Sequence, residues 1–243
     1  GHGDARRRLA QYGLTFDAEA RLALARRLIA GKLMAQIRLL ESAQSQRPDA
    51  RKPLHDGIAT LRGLLPKLAA ATDRDAVLGL EGAGAAAHYA ALVALFPPSL
   101  HFAGRNRRPP RDPVNACLSL GYTLLHFEAV RAAHGAGLDP LLGFYHEPVY
   151  GRESLACDLI EPLRPRLDGW VWSLFRDRRL RAEDFAIDKG ACLLAKDGRQ
   201  TFYAGYECWV PPLRRYLRRE CFRLANWLNG RAPALPEGED DEG

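Results

Sequence analysis

Almost every apolar segment of this chain repeats at helical spacing, and only one short stretch changes period. Leu22, Leu24, Ala25, Leu28, Ile29, Leu33, Ile37 and Leu40 follow that spacing from Asp17 to about Gln46, with Asp17 placed as an N-cap. One long helix is therefore expected. Arg47-Pro48-Asp49 breaks it, and Ile58, Leu61, Leu64, Leu65 and Leu68 predict a second helix to about Ala71. Asp73 opens a third through Phe96, small and apolar apart from Glu81, His88 and Tyr89, which reads as a central buried helix. Pro97-Pro98 ends it. Val114 to about Ala133 predicts another helix, closed by Gly135 and Gly137, and Ser154 is placed to cap a helix beginning at Leu155. Pro162 and Pro165 should bend that helix before Leu167–Phe175 resume the pattern, and a last helix is expected from Pro211 to about Leu228. Ala191–Leu194 and Thr201–Tyr203, flanking Asp197-Gly198, predict a hairpin near 190–206. The fold class is thus mainly α, a multi-helix domain with one small β-hairpin.

The 243 residues are 47% hydrophobic, enough for a sizeable core. No stretch reads as the roughly 18 uncharged apolar residues of a membrane span, and no charged-then-apolar signal opens the chain, so secreted and membrane-spanning classes are set aside. The five cysteines show no CxxC spacing and fall in apolar-periodic segments, as expected of reduced core residues in a cytoplasmic protein. Charge divides unevenly. Five of the 29 acids lie in the last seven residues, leaving 35 cations against 24 acids, a formal +11, for the body. Only five of the 35 cations are Lys, and arginine's planar fork suits phosphate, so a polyanionic partner is indicated unless the Arg content is merely compositional. The segment 231–243 is Pro-rich and acidic, the composition of a disordered tail.

Glu81 is the most informative single residue. A carboxylate within Leu78–Ala87, among Gly and Ala, is costly to bury without a cation, and an Arg from another helix could provide one. A second cluster is Gly143–Pro148 with Ser154–Pro165, in which Asp158 and Glu161 share one side of a helical turn downstream of His146. One imidazole with two or three carboxylates suits Mg²⁺ or Mn²⁺, while a lone His is equally compatible with a core role and an acid pair with a solvated helix face. The loop Arg105–Pro113 holds four Arg and three Pro, giving stiffened, outward cations. Arg214 to Arg223 carry a further Arg run, readable as a solvated helix face.

Four segments in this order carry a family resemblance: Leu78-Gly79-Leu80-Glu81-Gly82; Asp112–Ala116 with Leu118–Tyr122; Leu138-Asp139-Pro140 through Gly143–His146; and Ser154–Pro162. With Gln11-Tyr12 through Gly31-Lys32, they resemble the catalytic part of the CRISPR adaptation integrase, Cas1, over roughly residues 5–230. The resemblance implies that Glu81, His146 and Glu161 hold Mg²⁺ or Mn²⁺, with Asp158 beside them as a further catalytic carboxylate that holds a second metal or positions the nucleophile. The family often has Asp where Glu161 stands. His88, on a similar face two turns beyond Glu81, is the rival ligand. Arg105, Arg107, Arg108, Arg111 and Arg164 are expected on DNA, and Asn115 either on the phosphate or a ligand, or as a cap after Pro113. The implied activity is metal-dependent attack of a 3′-hydroxyl on a phosphodiester, inserting captured DNA into a CRISPR array with Cas2, as a homodimer in the full-length protein. Nothing in the chain matches the family's N-terminal β-rich domain, so a catalytic portion of a longer protein is expected, one open to fusion with a module such as a reverse transcriptase. A non-catalytic nucleic-acid scaffold and a general metal-dependent DNase are the competing classes.

Overall fold

A computed structural model describes residues 5–106 and 108–231. Arg107 and the acidic tail from residue 232 lie outside the described residues. Helix α1 (Ala5–Leu14) leads into α2 (Ala18–Gln46), whose N-cap Asp17 accepts from the Ala20 N–H. A 3₁₀ turn at Pro48–Ala50 reverses the chain into α3 (Arg51–Ala70), and Asp73 caps α4 (Arg74–Val93) through the Ala76 N–H. These three long helices pack pairwise on one another. Their contact is a leucine layer, with Leu33, Leu40, Leu54, Leu61, Leu68 and Leu92 almost fully buried. Each contributes about 1.5–3 kcal/mol on burial.

Helix α5 (Pro113–Gly135), capped by Asp112, is the axis of the other half. Packed on it are α6 (Ser154–Ile160), α7 (Arg164–Arg176) and α9 (Pro211–Asn229), while α8 (Lys196–Trp209) joins α7 to α9. Pro162 and Pro165 do interrupt the helix, leaving a 3₁₀ turn at Glu161–Leu163 that packs against α2. That contact connects the two halves. Ser154 does not cap α6 from outside; it is the first helical residue, and its hydroxyl donates to the Glu147 carbonyl.

The small sheet falls earlier than its sequence suggests. Strands β1 (Phe185–Asp188) and β2 (Ala191–Leu194) pair antiparallel, and the turn residues Lys189 and Gly190 both take positive φ, as a two-residue hairpin requires. Asp197-Gly198 lies instead in the first turn of α8. A Cβ on Gly198 would stand 2.6 Å from the Asp184 carbonyl oxygen, so this glycine serves close packing rather than a reversal. Thr201–Tyr203 are helical, with Phe202 and Tyr206 buried one turn apart. The hairpin also braces the arginine loop, since the Cys192 N–H donates to the Pro110 carbonyl.

Two further expectations change. Helix α4 is not buried all round: Val77, Gly84, His88, Ala91 and Leu92 face inward, while Gly79, Gly82, Ala83 and Ala86 are exposed. Its 20 residues reach a windowed mean hydropathy of 1.3, so it is the one helix among the described residues long and apolar enough to cross a membrane by length and composition. Its inward stripe against α2 and α3 accounts for that composition as a bundle helix. Of the cysteines, Cys117, Cys192 and Cys221 are buried, Cys157 is half-buried and Cys208 is exposed; all are free.

Trp170 anchors the second half, its ring 5.0, 5.9 and 5.1 Å from those of Phe202, Tyr206 and Trp209. Trp170→Ala should cost about 3–5 kcal/mol, read from the urea midpoint, because it opens a cavity where α7 and α8 meet.

Candidate active site

The two halves meet at a polar cleft of about 200 Å³. Helix α2 contributes Lys32 and Gln36, α4 contributes Glu81 and Tyr89, and α5 contributes Tyr122. His146 enters from the loop after α5, Glu161 from the 3₁₀ turn, and Arg164 and Asp168 from α7. A larger groove of about 500 Å³ between α2 and α9 is mostly apolar and holds no imidazole. The polar cleft is where the chemistry gathers.

His146 is fixed by Asp158. That carboxylate is fully buried, and it accepts the backbone N–H groups of Phe144 (2.7 Å), Tyr145 (3.0 Å) and His146 (2.9 Å) as well as the His146 Nδ1–H (2.7 Å). A carboxylate can only accept here, so Nδ1 carries a proton, and in the neutral ring Nε2 is the nitrogen left with its lone pair. Asp158 is therefore a positioning residue. Each of its oxygens accepts two hydrogen bonds from the loop, where the sequence reading expected a catalytic carboxylate beside the metal ligands. The approach is so close that a Cβ on Gly143 would stand 2.7 Å from Asp158 Oδ2 and 2.8 Å from the Ser154 backbone carbon. Buried Gln11 holds the other end of the loop, accepting from the Asp139 N–H and donating to the carbonyls of Asp139 and Leu142. Arg21 braces the rim through the Phe144 carbonyl and Glu147.

Glu81 and Glu161 are bridged by Lys32, whose ammonium contacts Glu81 Oε1 and lies 2.6 Å from Glu161 Oε2. The Glu81 partner is thus a lysine, not the arginine considered from sequence. Arg164 Nε donates to the other Glu161 oxygen at 2.8 Å. Burial raises the Glu161 pKa, but Arg164 and Lys32 outweigh it and bring it down to about 2. Glu161 thus stays ionised through the neutral range. Tyr145 is buried next to these carboxylates, its hydroxyl unpartnered, and burial with the charges of Glu81 and Glu161 pushes its pKa well up, so the phenol stays protonated.

The cations expected on nucleic acid separate. Arg105 and Arg164 line the cleft, and both lie over the Tyr122 ring, at 5.5 and 4.7 Å from its centroid. The Tyr122 hydroxyl in turn donates to Asp168 and meets the Tyr89 hydroxyl at 2.8 Å. Arg108 and Arg111 are exposed on the loop and do not line the cleft. Asn115 is fully buried and spent: Oδ1 accepts from Arg105 and the Asn106 N–H, and Nδ2 donates to Gly104 and Asp112. It holds Arg105 in place and cannot itself reach a ligand. The cap of this helix is Asp112, the residue before Pro113, and not Asn115. His88 is buried against Asp168 at 2.9 Å and does not line the cleft. Arg214 pairs with buried Glu128 and with Glu207, tying α9 to α5, and Arg223 pairs with Glu220.

The donor set fits a divalent ion in kind: two carboxylates and an imidazole backed by a carboxylate, the arrangement that orients a ligating histidine. Among the described residues no three His, Cys, Asp or Glu side chains are gathered tightly enough to hold a metal as they stand. The cation between Glu81 and Glu161 is the Lys32 ammonium. Sequence reasoning missed Lys32 and Gln36, although a signal existed: both polar residues fall on the stripe of α2 that buries Ile29, Leu33, Ile37 and Leu40.

Residues 1–208 match the family described as "CRISPR associated protein Cas1", and the chain belongs to that family. The CRISPR-associated endonuclease Cas1 1 of Thermodesulfovibrio yellowstonii is 49% identical over 148 residues, 60% of this chain and 46% of that protein. The chain spans about half the length of the curated relatives it matches. A casposase solved bound to its integration product shares the fold with a TM-score of 0.83 at 25% identity, over 99% of this chain and 70% of that one. A partial Cas6-RT-Cas1–Cas2 complex matches with a TM-score of 0.84 at 24% identity, over 92% of this chain and 70% of that one.

Gly143→Ala should cost about 1–3 kcal/mol, because the new methyl has backbone rather than a flexible side chain in its way. Thermal denaturation checks this, and a wild-type midpoint would mean that the loop can move off Asp158.

Proposed function

We propose that this chain is the catalytic portion of a cytoplasmic, metal-dependent DNA strand-transfer enzyme that inserts captured DNA segments into a CRISPR array. One observation carries the reading: Glu81, His146 and Glu161, contributed by three separate elements, line one polar cleft beside Arg105 and Arg164. Carboxylates and an imidazole that close to two guanidinium groups suit a phosphodiester flanked by a divalent cation.

Glu81, His146 through Nε2, and Glu161 would hold Mg²⁺ or Mn²⁺. When bound, such an ion supplies Lewis-acid polarisation of a phosphoryl oxygen. The side chains divide the remaining work. Asp158 keeps the His146 ring in one tautomer and one orientation. Arg164 holds Glu161 ionised and, with Arg105, presents N–H groups to a phosphate on a platform made by Tyr122. A DNA 3′-hydroxyl as nucleophile gives joining and water gives cleavage. The relatives' names, an endonuclease and a casposase with its integration product, correspond to these two outcomes. Cas2 is the companion protein we assign, on family membership, with the full-length protein acting as a homodimer; a complex of similar fold contains Cas1 with Cas2.

His146→Ala should reduce metal-dependent joining and cleavage by at least about a hundredfold, the scale of losing a catalytic electrostatic group. Binding to non-specific DNA should change little, because it depends on phosphate-facing cations. Joining and filter-binding assays on the same preparation check both, and joining at the parent rate by a folded variant would return His146 to a structural role. Cleavage without any joining, even with Cas2 added, would favour a general DNase.

A further inference from the structure

Two buried polar residues on α2 have no role in the reading above. Lys32 and Gln36 are one turn apart and both line the cleft. The Lys32 side chain is 8% exposed, and its ammonium holds Glu81 Oε1 and Glu161 Oε2, carboxylates assigned above to a divalent ion. The ammonium and that ion require the same oxygens. Arg164 does not compete, because it engages Glu161 through Oε1.

Gln36 is 2% exposed, and its Oε1 has no hydrogen-bond partner. A buried amide oxygen left unpaired is costly, so such an atom calls for an explanation. Side chains four apart on a helix are neighbours, and the lysine stem is long and flexible, so one face of α2 carries both the ammonium and this acceptor into the same cleft.

We infer that Lys32 is an exchangeable counter-cation of the site, with Gln36 its second station. While the carboxylates hold no divalent ion, the ammonium keeps Glu81 and Glu161 neutralised and close together. On metal binding it gives up one oxygen of each and moves to Gln36 Oε1. Glu161 keeps its bond to Arg164, and no ionised carboxylate is left unpaired at any stage. The lysine charge stays in the cleft and joins Arg105 and Arg164 in favouring a phosphate. The exchange makes Lys32 a positioning residue that opposes metal binding and favours the DNA backbone.

This inference rests on the metal-site reading, and Mn²⁺ binding to the DNA-free protein tests the two separately. Calorimetric titrations of the parent, Lys32→Met and Gln36→Leu are compared, with circular dichroism to verify folding. Lys32→Met should bind Mn²⁺ about tenfold more tightly, the factor expected if the ammonium occupies the carboxylates in about nine molecules of ten. Joining by that variant should nevertheless fall, since a phosphate-facing charge has gone. Gln36→Leu should bind Mn²⁺ several-fold more weakly, because the displaced ammonium has no acceptor. Parent-like or weaker Mn²⁺ binding by folded Lys32→Met, with the parent itself binding, overturns the exchange and leaves the metal site standing. Should Lys32→Met not fold, the Gln36→Leu result decides: parent-like or tighter binding overturns the inference. Absence of Mn²⁺ binding in the parent removes the metal-site reading and the exchange together.

Discussion

The Lys32 ammonium is the contact on which the site's architecture depends. Two buried or half-buried carboxylates from different parts of the chain are brought into one cleft, and without an intervening cation they would repel and remain poorly solvated. Lys32 draws Glu81 of α4 and the Glu161 turn onto α2, and Arg164 completes the neutralisation from α7. Removing one partner of such a buried pair costs about 3–5 kcal/mol, because the other is left charged and unpaired. The same cluster therefore joins the α2–α3–α4 layer to the half built on α5, and makes the cleft where they join.

Around it, chemistry is organised through indirect support. Asp158 reaches no open space, yet it sets the tautomer and position of His146 and shapes the loop through three backbone N–H groups. Asn115 likewise touches only protein while it fixes Arg105, and the hairpin packs against that same loop. Tyr122, held by Asp168, gives both guanidinium groups one aromatic face. Buried polar atoms that are fully satisfied in this way lock the side chains that do face the cleft.

Much of this was legible in the chain. Asp17 and Asp73 mark real helix starts, because a short carboxylate satisfies N–H groups that every helix leaves free, and that preference is local. The proline breaks after Gln46 and at Pro162 fell where expected for the same reason. The charge-in-an-apolar-stripe reasoning applied to Glu81 also holds for Lys32, which sits among Ile29, Leu33 and Ile37. Two such anomalies on different helices call for one another, and pairing them would have given the bridge.

The sequence by itself determined the helical class, most element boundaries and the identity of the polar residues inside apolar surroundings, since these follow from period, capping and the cost of burying charge. Only the tertiary structure decided how those residues are used. Whether Asp158 faces a ligand or a backbone loop, and whether Asn115 binds or braces, depends on contacts across the fold rather than on spacing along it. The Asp-Gly pair near 197 illustrates the limit: its local preference is for a turn, but the burial of Phe202 and Tyr206 against Trp170 outweighs that preference and makes the segment a helix.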